Sequence, residues 1–157
     1  IIPRHITRIK KINAELASLN LKINLYSNYK EMDANTDILL VDAYGETSKF
    51  YEITKCVFLG KSLIKPLAND SGQNPIEASR FACKIFHGPY VKNFTEIYTY
   101  LKSMNVTNEI HSSEKLYLSL VEELKVEKVK NQEILNKIEN YGQNTLNNVV
   151  EELKKYI

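Results

Sequence analysis

The sequence predicts an α/β fold, in which a parallel β-sheet carries helices on both faces and is followed by a helical tail. Segments with the apolar spacing of amphipathic helices alternate with short, nearly unbroken apolar runs such as residues 38–41 and 56–60. Runs of this kind are typical of the buried strands of parallel sheets. Beyond residue 112 only the helical spacing remains. Strands and helices that alternate in short units favour the doubly wound arrangement.

Each predicted element rests on its own spacing of apolar residues. The first helix places on one face Ile6, Ile9, Ile12, Leu16 and Leu19. The predicted strands are residues 21–26, 38–41, 56–60, 84–86 and 106–110. The predicted helices are residues 6–19, 45–55 and 93–104, a short helix that starts at residues 74–75, and two or more helices within residues 112–157. A polar loop is predicted at residues 61–73.

Length and composition fit one compact domain. The chain has 157 residues, of which 43% are hydrophobic, and this suffices for a single buried core. We therefore treat residues 1–157 as one domain, with residues 112–157 as its helical tail. The opening Ile-Ile-Pro has the character of the end of a strand, so we expect the natural protein to contain residues before Ile1 and this domain to be truncated at its start.

Composition also limits the partners. The net charge of +2 lacks the dense positive field of most duplex nucleic-acid binders, so no nucleic acid is expected. Apolar runs are too short to cross a bilayer, and we expect this piece to be soluble. Cys56 and Cys83 each adjoin an apolar run, which indicates reduced core thiols in a cytosolic setting rather than a disulfide or a metal pair. No metal site and no cofactor are predicted.

The sharpest local signal is residues 71–77, Ser-Gly-Gln-Asn-Pro-Ile-Glu, a flexible loop directly before a helix. Asn74 at the cap, Pro75 at the first position and Glu77 at the third are the order of a well-capped helix. The same order presents backbone amides and the positive end of a helix dipole to a phosphate, and a nearby carboxylate accepts hydrogen bonds from ribose hydroxyls. The sequence leaves both interpretations open, and they are compatible.

Other loops add weaker signals. Ligands of doubly wound sheets bind outside the carboxyl ends of the strands, so the loops after Val41, Leu59 and Phe86 are the places to search. Arg4 follows the first strand-like residues and offers a forked set of donors to a phosphate or a base carbonyl. A surface arginine that is only solvated is the alternative at this position.

Residues 42–46, Asp-Ala-Tyr-Gly-Glu, follow a buried strand, and their glycine permits the backbone to approach a ligand closely. Alternatively, Asp42 or Glu46 only caps the next helix. The Gly-Lys-Ser at residues 60–62 lacks the other glycines of a P-loop, and no Gly-x-Gly-x-x-Gly occurs in the chain. Neither of these nucleotide motifs is therefore predicted.

Six motifs stand in one order along the chain. They are Pro-Arg-His at residues 3–5, Asp-Ala-Tyr-Gly-Glu at 42–46, Phe-Leu-Gly-Lys-Ser at 58–62, Gly-Gln-Asn-Pro-Ile-Glu at 72–77, His-Gly-Pro at 87–89 and Asn-Phe at 93–94. In identity, order and spacing they resemble the C-terminal domain of the bacterial 3-deoxy-D-manno-octulosonic acid (Kdo) transferases. The resemblance extends from the start of the chain to about Ile97. The helical tail matches only in general character.

The resemblance implies a Rossmann-like domain that binds CMP-Kdo and forms the C-terminal half of a GT-B glycosyltransferase. It implies as CMP contacts Pro3, Arg4, Tyr44, Gly45, Glu46, Asn74, Pro75, Ile76 and Glu77. The candidates for contacts with the donor sugar are Gly60, Lys61, Ser62 and Gln73. Three residues depart from the family pattern, since Tyr44 replaces a common Met, Lys61 a Gly and Gln73 a His. These departures bear on donor specificity.

The resemblance also implies what this chain does not contain. The family's catalytic base is a carboxylate of the N-terminal domain, which follows a membrane anchor, so no catalytic residue is predicted here and this piece alone is expected to be inactive. The full-length protein is expected at the cytoplasmic face of the inner membrane. There it would move Kdo from CMP-Kdo to a lipid A precursor in lipopolysaccharide biosynthesis, without a metal. Two alternatives stay open: a GT-B donor domain for another nucleotide sugar, and a non-catalytic interaction domain that docks through residues 112–157.

Overall fold

The computed structural model describes residues 1–31, 34–65 and 72–156. The chain divides into two compact units, Ile1–Phe50 and Tyr51–Ile157, and the division falls within helix α2 (Thr47–Ile53). Each unit contains its own ladder of parallel strands. The predicted loop at residues 61–73 is described except for residues 66–71.

The first unit combines a helix with two parallel strands. In chain order it contains a 3-10 turn at Ile6–Arg8, helix α1 (Ile9–Ala17), strand β1 (Ile23–Leu25), a 3-10 segment at Tyr26–Glu31 and strand β2 (Ile38–Leu40). The two strands pair in parallel, with Asn24 opposite Leu39. Leu40 and Val41 are buried. An unbroken apolar run is the sequence that such a covered strand requires.

Ile1 extends this ladder on the other side of β2. Its nitrogen donates to the Leu39 carbonyl at 2.7 Å, and its carbonyl accepts from the Val41 amide at 2.9 Å. These two bonds are the pattern of a parallel bridge between Ile1 and Leu40. Ile1 thus pairs with β2, whereas residues 1–3 form no strand of their own. As a result, Arg4 leaves the same edge of the ladder as the residues that follow β2.

The second unit contains three parallel strands in the order β3-β4-β5. They are β3 (Cys56–Leu59), β4 (Lys84–His87) and β5 (Thr107–Glu109). Phe58 lies opposite Phe86, and Phe86 opposite Asn108. The middle strand β4 is the most buried of the three, with Ile85, Phe86 and His87 all shielded from solvent. Successive apolar residues suit a strand that is covered on both faces.

Helices cover the β3-β4-β5 ladder. They are α3 (Ile76–Arg80), α4 (Thr95–Ser103), which follows a 3-10 turn at Lys92–Phe94, α5 (Ser113–Lys125) and α6 (Gln132–Lys154). The core cluster of buried residues comprises Leu59, Ala78, Cys83, Ile85, Val91, Ile97, Tyr98, Leu101, Val106 and Ile138. Strand, loop and helix residues thus contribute to one core, which fixes the loops as well as the ladder.

The predicted helices of the tail are confirmed as α5 and α6. The side chains of Ser112 and Asn131 cap them by accepting a hydrogen bond from a backbone amide of the first turn. Ile138 anchors the first half of α6 in the core. From Gly142 to Tyr156 every residue is exposed, so the apolar residues of the second half of α6 lie at the surface of the second unit.

The predicted α/β class, with parallel strands and helices on both faces, is confirmed. Two details differ from the sequence prediction. The helix predicted at residues 45–55 begins at Thr47, because Gly45 has a φ of +79°, which no right-handed helix contains. The described strands form two hydrogen-bonded ladders where the sequence predicted one sheet. An apolar pattern identifies strands, but it does not say which strands pair.

Gly88 is the glycine at which the fold requires the absence of a side chain. A Cβ there would lie 2.1 Å from the Ser62 carbonyl oxygen, whereas a Cβ at Gly142 in α6 would meet no atom within 4 Å. We expect Gly88→Ala to lower the free energy of unfolding by about 3 kcal/mol or more, because backbone must move to relieve the clash. Gly142→Ala is the matched control and should raise it by about 1 kcal/mol. Urea denaturation measures both, and a Gly88→Ala variant as stable as the wild type would contradict this packing.

Candidate functional site

The loops after β3 and β4 are joined by the side chain of Ser62. The Ser62 hydroxyl donates to the Leu59 carbonyl at 2.6 Å and accepts from the Gly88 amide at 2.9 Å. The Tyr90 amide donates to the Ser62 carbonyl at 2.9 Å. Ser62 is fully buried, and both hydrogen-bonding roles of its hydroxyl are used within the protein. Its predicted contact with a donor sugar stays a prediction, and the structure gives this hydroxyl a structural role.

Lys61 and Gly72 close the long loop at its two ends. The Gly72 amide donates to the Lys61 carbonyl at 3.0 Å, and both residues have a positive φ, 58° at Lys61 and 70° at Gly72. Glycine suits position 72 because its positive φ disfavours other residues, and because a Cβ there would lie only 3.1 Å from a methyl carbon of Val91. Gly60 has open space around its α-carbon. Ser71, the first residue of the predicted motif, lies outside the described residues.

One contact supports the capping interpretation of residues 74–77, since the Asn74 side-chain oxygen accepts a hydrogen bond from the Ile76 amide at 3.0 Å. Helix α3 begins at Ile76, so Pro75 stands at the cap position, one residue earlier in the helix than predicted. Pro75 is buried, Ile76 is half-buried, and Asn74 and Glu77 are exposed. The ligand-binding interpretation of the same residues stays a prediction. Its electrostatic part is small, since α3 contains only five residues.

The backbone carbonyl of Gln73 accepts a hydrogen bond from a buried tyrosine. The Tyr98 hydroxyl donates to the Gln73 carbonyl at 2.9 Å, and Tyr98 is only 3% exposed. Tyr98 lies on the buried face of α4, within the helix predicted at residues 93–104. The function of its hydroxyl carries no sequence signal, because spacing shows that a side chain is buried and not what its polar atom reaches.

His87 lies beside this tyrosine at the end of β4. Its ring packs on the Tyr98 ring with centroids 4.2 Å apart, and its Nδ1 lies 2.7 Å from the Gly88 carbonyl oxygen. A carbonyl only accepts, so Nδ1 carries the proton and Nε2 is the basic nitrogen. Nε2 is buried and has no hydrogen-bond partner among the described residues. Burial lowers the pKa of His87, against smaller opposing effects of the Gly88 carbonyl and Glu109, so the ring is neutral at pH 7.

In the first unit the predicted CMP contacts gather at the carboxyl edge of the β1–β2 ladder. Pro3 is half-buried and Arg4 exposed, and Tyr44 and Gly45 are both exposed in the turn after β2. The Glu46 carboxylate accepts from the Tyr26 hydroxyl at 2.9 Å and pairs with the Lys49 ammonium at 2.8 Å.

The Lys49 ammonium is the main cause that lowers the pKa of Glu46, and the Tyr26 hydroxyl adds to it. Glu46 is therefore ionised at neutral pH and accepts hydrogen bonds only. Asp42 accepts from the Ser27 hydroxyl at 2.7 Å and from the Ser27 amide at 2.8 Å. These contacts join the end of β2 to the end of β1. Asp42 therefore does more than cap α2, which was the alternative at this position.

Each unit thus brings its own predicted residues together. The first unit holds Pro3, Arg4, Tyr44, Gly45 and Glu46, and the second holds Gly60, Lys61, Ser62, Gln73, Asn74, Pro75, Ile76 and Glu77. That these two sets contact one ligand stays a prediction. The sequence missed four residues that fix the loops, namely Tyr26, Ser27, His87 as a ring contact, and the Tyr98 hydroxyl. All four act through long-range contacts, which a one-dimensional pattern does not contain.

Comparison with known proteins gives the same family. No protein-family model matches the chain. Its fold matches the C-terminal CMP-Kdo binding domain of WaaA from Acinetobacter baumannii with a TM-score of 0.74, over 88% of this chain and 71% of that one, at 23% identity. A 3-deoxy-D-manno-octulosonic acid transferase of Rickettsia bellii is 30% identical over 124 residues, which is 79% of this chain. The predicted resemblance to the Kdo transferases is confirmed.

The chain is also similar to a bifunctional glycosyltransferase/methyltransferase of Fusobacterium nucleatum, at 27% identity over 139 residues or 85% of the chain. It spans 20% of that protein and 28% of the Rickettsia bellii Kdo transferase. The similarity to Kdo transferases therefore concerns one part of much longer relatives. Within the described part of the chain, no helix has the length and apolar character needed to cross a bilayer.

A cavity of about 160 Å³ opens at the opposite, amino edge of the second unit, and lysines line it. Their ammonium groups are already bonded: Lys55 to the Leu124 carbonyl at 3.0 Å, Lys84 to the Asn105 carbonyl at 2.6 Å and Lys128 to the Thr54 carbonyl at 2.7 Å. Each of these ammonium groups therefore joins two separate segments of the second unit through a backbone carbonyl.

Both cysteines lie in the second unit. Cys56 and Cys83 are free thiols, Cys83 buried and Cys56 half-buried, and the Cys83 thiol donates to the Tyr51 carbonyl at 3.2 Å. Burial raises the pKa of both thiols, which keeps them protonated at neutral pH. Among the described residues, no three metal-ligating side chains lie close enough together to hold an ion.

Because the His87 ring is buried, we expect the free energy of unfolding of the chain to fall in acid. In the unfolded chain a histidine takes up a proton near pH 6.5, whereas burial keeps the folded-state pKa of His87 lower. Below about pH 6.5 the unfolded state binds more protons, so the free energy of unfolding falls until the pH is below the folded-state pKa as well. We expect His87→Gln, which retains a donor for the Gly88 carbonyl, to lose less stability between pH 7 and pH 5 than the wild type. His5→Gln, an exposed control, should lose as much as the wild type in urea denaturation, and parallel curves for all three chains would refute the prediction.

Proposed function

We propose that the chain is the donor-binding domain of a glycosyltransferase that moves Kdo from CMP-Kdo to a lipid A precursor in lipopolysaccharide biosynthesis. The observation that carries this proposal is the gathering of the family's CMP-contact motifs at the carboxyl edges of parallel ladders, in a chain with the fold of a CMP-Kdo binding domain. Nucleotides bind at this edge in open parallel sheets. We propose further that residues 1–157 act as one domain.

The phosphate of CMP is the natural partner of the backbone groups and Arg4. The Arg4 guanidinium is exposed at the edge where β2 ends, and Gly45 in the neighbouring turn lacks a side chain that would keep a phosphate away from the backbone. Guanidinium and amide donors recognise phosphate oxygens through charge-assisted hydrogen bonds. In the reaction the bond between the anomeric carbon of Kdo and the phosphate oxygen breaks, and its electron pair stays on CMP. Donors already aimed at that phosphate stabilise the departing charge without a metal.

Glu46 and Glu77 suit the ribose. The Glu46 carboxylate is ionised and held in place by Tyr26 and Lys49, so it accepts hydrogen bonds from sugar hydroxyls without having to reorient. Glu77 is exposed on α3, one turn from the Asn74 cap. The acceptor hydroxyl must lose a proton when it attacks Kdo, and we assign that proton to a carboxylate base of an N-terminal domain. This chain by itself is then inactive, and the complete enzyme works at the cytoplasmic face of the inner membrane.

A donor domain for a different nucleotide sugar is the second candidate. The similarity to a glycosyltransferase/methyltransferase that is not named as a Kdo transferase favours it. So do Tyr44, Lys61 and Gln73, which depart from the Kdo-transferase pattern where side chains would meet the base or the sugar. Contacts made by backbone tolerate such changes, whereas contacts made by these side chains do not.

Titration of the 15N-labelled chain with CMP tests the proposal. We expect amide shifts at Gly45, Asn74, Ile76 and Glu77, with a dissociation constant of roughly millimolar, because one domain supplies only part of the closed site. UMP and inorganic phosphate are the comparison ligands. A stronger response to UMP than to CMP would favour the second candidate, and silence of both loops would exclude nucleotide binding by this chain.

The role of Arg4 has its own test. We expect Arg4→Ala to weaken CMP binding about tenfold, since a charge-assisted hydrogen bond to the phosphate is lost. Arg8→Ala removes another exposed arginine, four residues further along, and should leave the affinity within about twofold. If both variants lost CMP affinity equally, only net charge would matter, and the proposal of a specific contact between Arg4 and the phosphate would be wrong.

A further inference from the structure

The peptide bond between Gln73 and Asn74, in the proposed CMP site, is oriented by a hydrogen bond from the core of the second unit. The Gln73 carbonyl accepts a hydrogen bond at 2.9 Å from the hydroxyl of Tyr98, a residue of α4 that is only 3% exposed. Burial raises the pKa of Tyr98 far above its usual value of 10, so the phenol is protonated at every physiological pH and always available as a donor. The Gln73 carbonyl therefore points inward, toward the core of the second unit.

The geometry of the peptide bond converts this contact into a direction for Asn74. In a trans peptide the C=O and the following N–H point in opposite directions, and the chain contains no cis peptide bond among its described residues. With the Gln73 carbonyl turned toward Tyr98, the Asn74 N–H is turned away from the core. Asn74 is exposed, and its backbone N–H donates to no group in the described part of the chain. Its side chain meanwhile is engaged with the Ile76 amide.

Tyr98 is itself held by the edge of the ladder. The His87 ring packs against it at a centroid distance of 4.2 Å, and His87 Nδ1 donates to the Gly88 carbonyl at 2.7 Å. The Gly88 amide in turn donates to the Ser62 hydroxyl, which donates to the Leu59 carbonyl. Strand ends, aromatic pair and loop thus form one connected set of contacts. A change of the Tyr98 χ1 rotamer would break the contact with His87 as well as the bond to Gln73.

We propose that Tyr98 is a positioning residue of the nucleotide site, which holds the Gln73–Asn74 peptide so that the Asn74 N–H faces a phosphate oxygen of the bound nucleotide. The inference rests on the proposed function, since it names a group that orients one donor of that site. Tyr98 itself touches no ligand. The loss of its hydroxyl should affect the phosphate contact and leave contacts to the nucleoside unchanged.

Tyr98→Phe removes one oxygen and keeps the aromatic contact with His87. Tyr100→Phe is the matched control, because the Tyr100 hydroxyl also donates to a backbone carbonyl, that of Lys137 in α6, at 3.1 Å. Both variants lose one hydrogen bond to a carbonyl, but only Tyr98→Phe loosens residues 73–74. Titrations of the 157-residue chain with CMP and with cytidine, followed by amide shifts, separate the phosphate contribution from that of the nucleoside.

For Tyr98→Phe we expect an affinity for CMP about fivefold weaker, an unchanged affinity for cytidine, and a shifted Asn74 amide in the free chain. Tyr100→Phe should bind both ligands as the wild type does. Equal weakening of CMP and cytidine, or unchanged CMP binding by Tyr98→Phe, would overturn the positioning role while the proposed function stands. A wild-type chain that does not respond to CMP at all would overturn both.

Discussion

The bridge that the Ser62 hydroxyl makes between Leu59 and Gly88 is the contact on which the second unit's loops depend. It joins the carboxyl ends of two neighbouring parallel strands, and it is fully buried. A buried backbone amide without a partner costs about 1–3 kcal/mol, so the Gly88 N–H needs this hydroxyl. Gly88 in turn lets the two backbones approach more closely than any side chain would permit. One hydroxyl and one missing side chain therefore turn two separate loops into a single rigid edge.

Rigidity of that edge matters because the proposed site is built largely from backbone. A phosphate that is bound by amides requires peptide planes in fixed orientations, and peptide planes are fixed by what their carbonyls bond to. Here the carbonyl of Gln73 is bonded to Tyr98, and that of Lys61 to the Gly72 amide. Lys61 and Gln73, which depart from the Kdo-transferase pattern, contribute to this framework through their backbone carbonyls.

The two edges of the second unit have different chemistry. At the amino edge, lysine ammonium groups donate hydrogen bonds to backbone carbonyls. Lys55 bonds the end of α5, and Lys128 bonds the end of α2. Cations at the carboxyl ends of helices are stabilising. Lys55 joins the start of β3 to α5, and Lys128 joins the connection between α5 and α6 to α2. At the carboxyl edge, Asn74 and Glu77 are exposed to solvent. The amino edge contributes stability, and the carboxyl edge contributes the proposed recognition.

The sequence by itself determined the α/β class, the existence of all five strands, the amphipathic helices and the cap at Asn74. These follow from local physics, since apolar spacing reports burial and cap residues bond within their own turn. Ordered motifs also determined the resemblance to Kdo transferases. Boundaries moved where one backbone angle decided them, as at Gly45 before α2.

Only the tertiary structure decided which strands pair, that Ser62 is an internal bridge, and that Tyr98 and His87 stand behind the proposed site. Each of these rests on contacts between residues more than ten positions apart, such as Tyr98 with Gln73. A sequence pattern reports that a phenol or an imidazole is buried. The partner of its polar atom is decided by where the chain has brought every other residue, and so only the folded chain supplies it.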